Sequence, residues 1–354
     1  MIRPSSNPRR APRRGDEGIA LLYVAFFLLA CFWFASMALD VGKLMAARTE
    51  LQAAADAAAL AGASALDPLT KELNQDVSKV RAAAIAASNS AYENGKTPVI
   101  ISPDTDVEFP GVRQVKVSVY RDAGHGSSVM LHLAQTIDPT LHWMGVRADA
   151  TAEVGPLVGL CEGLAPFAPE EPPSGDFSKD CDSVYTLKMG AGNSTSGNFQ
   201  LLDYPDCAEN DTSFVGGGGA EIKYYIINGY DCCFKIGEMV TIDTAPGNKV
   251  GPVRSGLQER FDADTDPREG ICYQQYTGNQ SRVFLCPIIR DFNVNGKKEV
   301  EILKFAAFFL RQRPGGNLVQ GGVVGQFIDY VAPGIVDGDI PPEDTDVFGV
   351  HLIE

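Results

Sequence analysis

The chain has 354 residues, with 45 acidic against 30 basic side chains and a formal net charge of -15. That length allows two or three domains, each able to bury a core. So acidic a surface repels phosphate backbones and no local basic stripe offsets it, which argues against nucleic-acid binding. The charge is unevenly spread. Residues 1–15 carry five arginines and no carboxylate, whereas from Gly18 onward 25 basic residues face 43 acidic ones.

Residues 18–39 read GIALLYVAFFLLACFWFASMAL and contain no charge. At 1.5 Å per residue, 22 positions make a helix of about 33 Å, enough to cross a hydrocarbon layer of roughly 30 Å. Arginines before the run predict a cytoplasmic N-terminus, residues 1–17 being a basic tail. The run is longer than a signal-peptide core and carries Phe32, Trp33 and Phe34 deep inside it, so an uncleaved anchor is expected.

The sequence stays helical from Asp40 to Leu66, with alanine at 11 of the 20 positions from 46 to 65. Val41, Leu44, Arg48, Leu51, Ala55, Ala58 and Gly62 recur at three or four residues and mark a narrow face of small side chains. Such a face fits close packing against other helices, or an amphipathic stalk. Asp67-Pro68 predicts a helix start, with a second helix running to about Asn94 and stopping at Gly95. Strands are expected over 112–121 and 146–154, with a short helix over 127–142 between them, interrupted or ended near Pro139.

Residues 155–175 shift to proline and glycine, and a linker is expected over 156–175. Beyond it, short apolar runs (183–189, 221–227, 234–236, 239–243, 299–310 and 326–331) alternate with turn residues. Asn228-Gly229 and Asn295-Gly296 predict hairpin turns. Seven of the eight cysteines lie between Cys161 and Cys286, so disulfides are expected if this part is exported, with at least one thiol left over. The vicinal Cys232 and Cys233 can serve two different bridges.

The expected fold class is α+β. A long transmembrane helix continues into a helical stalk and small pilin-like α+β domain (40–155). A mainly β extracytoplasmic domain (176–354) follows, as a sandwich or partly open barrel.

Arg13-Arg14, the apolar run opening at Gly18, Ala38-Leu39-Asp40-Val41-Gly42, and Leu51 through Ala63 (LQAAADAAALAGA) together resemble the TadE/TadG-like family of tight-adherence (Tad, or Flp) pilus-assembly proteins. The likeness covers about residues 13–66. Weaker pointers follow it: Tyr185-Thr186-Leu187-Lys188, Gly197-Asn198-Phe199 with Leu202-Asp203, and Pro246-Gly247-Asn248 with Gly251-Pro252-Val253. The resemblance implies a bacterial envelope location and a role in building, anchoring or displaying a pilus. Its implied partners are the inner membrane and other pilus-assembly or pilin subunits through the N-terminal helix, with a homo-oligomer also open. The chain lacks the Asp-x-Ser-x-Ser loop of von Willebrand A domains, so metal-dependent adhesion is not carried over. After Gly15 the fifth residue is Ala20, and after Gly18 it is Tyr23, where processed pilins usually place glutamate. An anchored accessory protein is therefore expected, with a minor pilin displaying a β domain as the alternative.

No catalytic, cofactor or metal residues are expected. His125, His132, His142 and His351 make no metal-ligand spacing, and the glycine run 216–219 lacks the lysine of a phosphate loop. Asp262, Asp264 and Asp266 alternate as in a calcium loop, but Pro267 and Tyr273 stand where glycine and glutamate belong. A solvated acidic loop is expected there and over 337–346, and an envelope hydrolase using the carboxylates near 262–269 is the remote third reading.

Overall fold

A computed structural model describes residues 16–67, 70–89, 98–125, 128–132, 134–187, 201–204, 218–237, 239–240, 243–244, 249–290, 300–315, 322–337 and 345–353. Two compact units emerge. One comprises Met1–Ala55, Ile85–Ser102 and Ser118–Asp149; the other comprises Asp56–Ala84, Pro103–Val117 and Ala150–Glu354.

The apolar run and the alanine-rich segment form one helix, α1 (Asp16–Ala63). It ends where Ser64 and Ala65 donate back to the carbonyls of Leu60 and Gly62. The next helix, α2 (Gln75–Ser88), starts later than Asp67-Pro68 predicts. Asp67 instead closes a tight turn, accepting from Lys71 and donating to Glu72, with Lys71 at φ 55°. Asn74 then caps α2, its side chain accepting from the Val77 amide at 3.1 Å. Pro68 and Gly95 lie outside the described residues.

Two strands follow, β1 (Val107–Glu108) and β2 (Gln114–Arg121). Of the helix expected over 127–142, the described residues keep two short turns that are separated at Asp138, just before Pro139. The chain forms β3 (Val129–Met130), a single turn α3 (Ala134–Ile137), a 3-10 turn (Pro139–His142) and β4 (Trp143–Met144), with β3 and β4 antiparallel. Asp138 drives the change: its carboxylate accepts the Thr140 amide and hydroxyl, and Pro139 takes the first turn position. Strand β5 (Val146–Leu160) runs on into the Gly-Pro stretch where a boundary is expected, because Gly155 and Pro156 pair with Gly349 and Phe348.

The remaining elements are β6 (Tyr185–Thr186), β7 (Leu202–Asp203), α4 (Gly219–Asn228), β8 (Phe234–Lys235), β9 (Met239–Val240), β10 (Asp243–Thr244) and α5 (Val250–Asp262). After them come β11 (Val283–Ile289), β12 (Val300–Leu310), β13 (Val324–Ile328), β14 (Tyr330–Val331), β15 (Ile335–Val336) and β16 (Val347–Ile353). The class is α+β, as expected. One sheet runs β1-β2-β5-β16-β14 with β8 and β15 on β5; another runs β11-β12-β13-β6 with β9 on β12.

The β11–β12 hairpin is buried on both faces, which explains its nearly continuous apolar sequence. Val283, Leu285, Phe305 and Phe309 share a cluster with Leu157, Leu160 and Val347 of the other sheet. Their sequence neighbours Phe284, Cys286, Phe308 and Leu310 pack instead with Ile222 and Ile226 of α4 and Val253 and Leu257 of α5. The alternation is the period of two along a strand.

The short apolar run 221–227 is helical, so the part expected to be mainly β also carries the helices α4 and α5. Gly229 accordingly ends α4 at φ 85° rather than turning a hairpin. A Cβ there would lie 2.3 Å from the Gly163 Cα. Gly229→Ala is expected to cost at least about 3 kcal/mol, combining left-handed strain with a backbone clash. Chemical denaturation checks this.

Candidate functional site: the exposed helix and its junction

Among the described residues, none covers the first half of α1. The fourteen large apolar side chains from Ile19 to Leu39 are each 50–74 % exposed. Burying such a side chain is worth about 1.5–3 kcal/mol, so this surface strongly favours a non-aqueous environment. Among the described residues, α1 is the one helix long and apolar enough to cross a membrane.

The run ends at Asp40, whose side chain is buried within its unit rather than projecting into water. Its Oδ1 accepts the His132 amide at 3.1 Å and its Oδ2 accepts the Ala134 amide at 2.7 Å. Two backbone donors thus meet one charge as soon as the chain leaves the apolar segment. One turn farther on, Leu44 and Ala47 pack with Val129, Leu131, Met144 and Val146, and the Gln52 amide donates to the Asp149 carbonyl at 3.0 Å. The β3–β4 hairpin is therefore fastened to α1 by polar contacts on both sides of an apolar patch. Asp40→Asn would turn an amide N–H toward one of the two backbone donors. Hydrogen exchange at His132 and Ala134 is expected to accelerate at least about tenfold, reflecting loss of about 1.5–3 kcal/mol locally.

In the other unit, the end of α1 is sealed. Ala58, Ala59 and Ala63 are fully buried, and Gly62 faces Val115, Ser78 and Ala82. Ser78 Oγ donates to the Gly62 carbonyl at 2.9 Å, an approach that a side chain at position 62 would obstruct. The small-residue face thus meets α2 and β2 of its own chain. In the first unit, Leu51 and Ala55 are also fully buried, so much of the expected docking face for other helices is already covered.

The three alternating aspartates engage different partners. Arg313 holds Asp262 with two hydrogen bonds of 2.7 and 2.8 Å. Asp264 accepts from Tyr276 and faces the buried Arg282 at 3.7 Å. Asp266 takes two bonds from Arg268, which hold its carboxyl well below the usual carboxylate range, and it also accepts the Thr277 amide. Arg282 donates to the Asp266 and Arg268 carbonyls and lies against Phe261, Tyr276 and Phe309. This segment is not merely a solvated loop; it wraps a buried guanidinium.

The acidic stretch 337–346 also departs from expectation at its end. Asp346 is buried, 2.5 Å from Lys179, which is 2.8 Å from Asp329; Lys304 adds contacts to Asp346 at 3.6 Å and Asp176 at 3.4 Å. Burial opposes the Lys179 charge, but Asp346 and Asp329 outweigh it and hold the ammonium well above its ordinary value of 10.5.

His125 binds Asp122 at 2.9 Å, His142 bonds Gln135, His132 serves through its backbone amide, and His351 lies on β16. Among the described residues, no three His, Cys, Asp or Glu side chains are grouped to hold a metal. Cys161 pairs with Cys233 and Cys181 with Cys272, and Cys232 is also disulfide-bonded. The vicinal pair thus serves two bridges. Cys31 and Cys286 are free thiols, and burial pushes the Cys286 thiol far up. Cys207, Gly216, Gly217 and Asn295-Gly296 lie outside the described residues.

Residues 18–65 match the family described as putative Flp pilus-assembly TadE/G-like. This helix is TadE/G-like. No curated protein and no solved structure matches the chain. The TadE/G-like segment has two chemically distinct halves, an exposed apolar one and a buried alanine-rich one, with Asp40 at their junction. Asp40 belongs to the Ala38–Gly42 motif, but its role emerges only from the His132 and Ala134 amides. A lone carboxylate directly after 22 uncharged residues was the available signal.

Proposed function

We propose that the protein is a non-enzymatic accessory component of a Tad/Flp pilus system, held in the bacterial inner membrane by residues 18–39. Its N-terminus is cytoplasmic, and its disulfide-bonded bulk lies in the periplasm or at the cell surface. The observation carrying this reading is the TadE/G-like match on a helix whose apolar half is uncovered. The arginines at 3, 9, 10, 13 and 14 support the orientation, and the disulfides support an oxidising compartment.

Anchoring fits better than polymerisation as a filament subunit. After Gly15 the fifth residue is Ala20 and after Gly18 it is Tyr23, so the glutamate that a processed pilin uses in its filament core is missing. Deleting the gene is expected to abolish or reduce surface piliation and adherence, and complementation with the full chain restores them. Unchanged piliation would overturn the pilus role. N-terminal sequencing of the native protein separates the anchor from a pilin: loss of the first 15–18 residues contradicts the anchor.

A further inference from the structure

We infer that the segment from Ala134 to Trp143 forms a collar that rests on the lipid headgroup layer of the membrane crossed by α1. The inference builds on the anchoring role of residues 18–39. The last apolar residue of that run, Leu39, is directly followed by Asp40, to which the His132 and Ala134 amides are bonded. The backbone of this segment is therefore tied to the level at which the hydrocarbon ends. Leu44 and Ala47 pack against Val129 and Leu131, so going from Val129 to Ala134 descends the helix toward the apolar run. The turn formed by Ala134–Ile137 and Pro139–His142 lies at the lower end of the β3–β4 hairpin.

Trp143 follows this turn and pairs with Met130. It is 53 % exposed, while its neighbour Met144 packs inward with Leu44 and Ala47. Met130 precedes His132 by two residues, or about 7 Å of extended chain. That distance matches the headgroup layer, about 5–8 Å on each side of the hydrocarbon. An indole there has an apolar body and a donor N–H, the chemistry that concentrates tryptophan at membrane–water interfaces. The exposed indole would thus extend the apolar surface of α1 into the interface.

Charge does not supply the attraction. Between 128 and 149 the charged side chains are Asp138, Arg147 and Asp149, and Arg147 is paired with Asp149 at 2.6 Å. The collar is therefore a site for the interface of a zwitterionic bilayer, without selectivity for anionic lipid.

The chain has two tryptophans, Trp33 in the apolar run and Trp143 in the collar, so single-tryptophan variants report on each. Trp33→Phe and Trp143→Phe proteins are reconstituted in phosphatidylcholine vesicles containing a spin-labelled lipid, with the label near the headgroup or deep in the acyl chain. The inference predicts that Trp143 is quenched at least about twofold more by the shallow label than by the deep one, and that added anionic lipid leaves this unchanged. Trp33 should be quenched best by the deep label. If Trp33 is quenched by the deep label but Trp143 responds only to aqueous acrylamide, the collar is wrong and the anchor stands. If neither is quenched by lipid labels, the anchor itself fails. Quenching of Trp143 that appears only with anionic lipid overturns the collar as an uncharged interfacial site.

Discussion

Lys179→Met is expected to lower the unfolding free energy by about 3 kcal/mol or more. Lys179 lies between Asp329 and Asp346 at 2.8 and 2.5 Å, and both carboxylates are buried. Removing the ammonium leaves two uncompensated buried charges, the situation that costs about 3–5 kcal/mol when one partner of a buried pair is lost. Lys71, 3.8 Å from Asp329, and Lys304, 3.6 Å from Asp346, recover part of this. A double replacement, Lys179→Met with Asp346→Asn, should therefore cost less than the two single changes added together. The pH dependence has a definite sign. The folded-state pKa of Lys179 is raised above 10.5, so its contribution is complete below about pH 10.5 and is lost as pH rises through the folded value. Wild type should lose stability over that alkaline range more steeply than Lys179→Met. A single-variant loss below about 1 kcal/mol would mean that the cluster behaves like exposed surface pairs.

Reducing the disulfides should have a comparable or larger effect. Cys161–Cys233 spans 72 residues and Cys181–Cys272 spans 91. Loops of that size correspond to about 4–5 kcal/mol each from the restricted unfolded chain, before any native-state strain is subtracted. The denaturation midpoint of the Cys181→Ser/Cys272→Ser protein should fall accordingly, and full reductant should lower it further. In the oxidised native protein, the buried Cys286 thiol should react with maleimide only after denaturant is added. A midpoint insensitive to reductant would contradict the part assigned to these bridges.

Much of this architecture was legible where one residue class dominates a long stretch. The helix α1 announces itself by 22 uncharged residues followed by alanine, and β12 by its apolar run. What could not be read depended on distant partners. The segment Glu221–Ile227 is too short for periodicity to separate strand from helix; it is a helix because Ile222, Tyr225 and Ile226 meet α5 and the sheets. In α5, two glycines and Pro252 conceal a buried stripe of Val253, Leu257 and Phe261. Asp346 looked solvated because it closes an acidic run, while Lys179 and Lys304 are remote in sequence. The strand beyond residue 155 was masked by Gly155 and Pro156, whose pairing on β16 emerges only with the whole sheet. At the junction, the motif was visible but its chemistry was not, since the donors to Asp40 come from a hairpin about ninety residues later.

The account rests on a helix that remains in the membrane while the rest of the chain passes outside the cytoplasm. Adding protease to intact spheroplasts that carry an epitope tag at the N-terminus tests this directly. The account predicts that the full-length chain is degraded from outside, leaving a protected tagged fragment of about 40 residues, the length set by the spanning helix and its basic tail. A full-length tagged protein that resists the protease until the cells are lysed would contradict it.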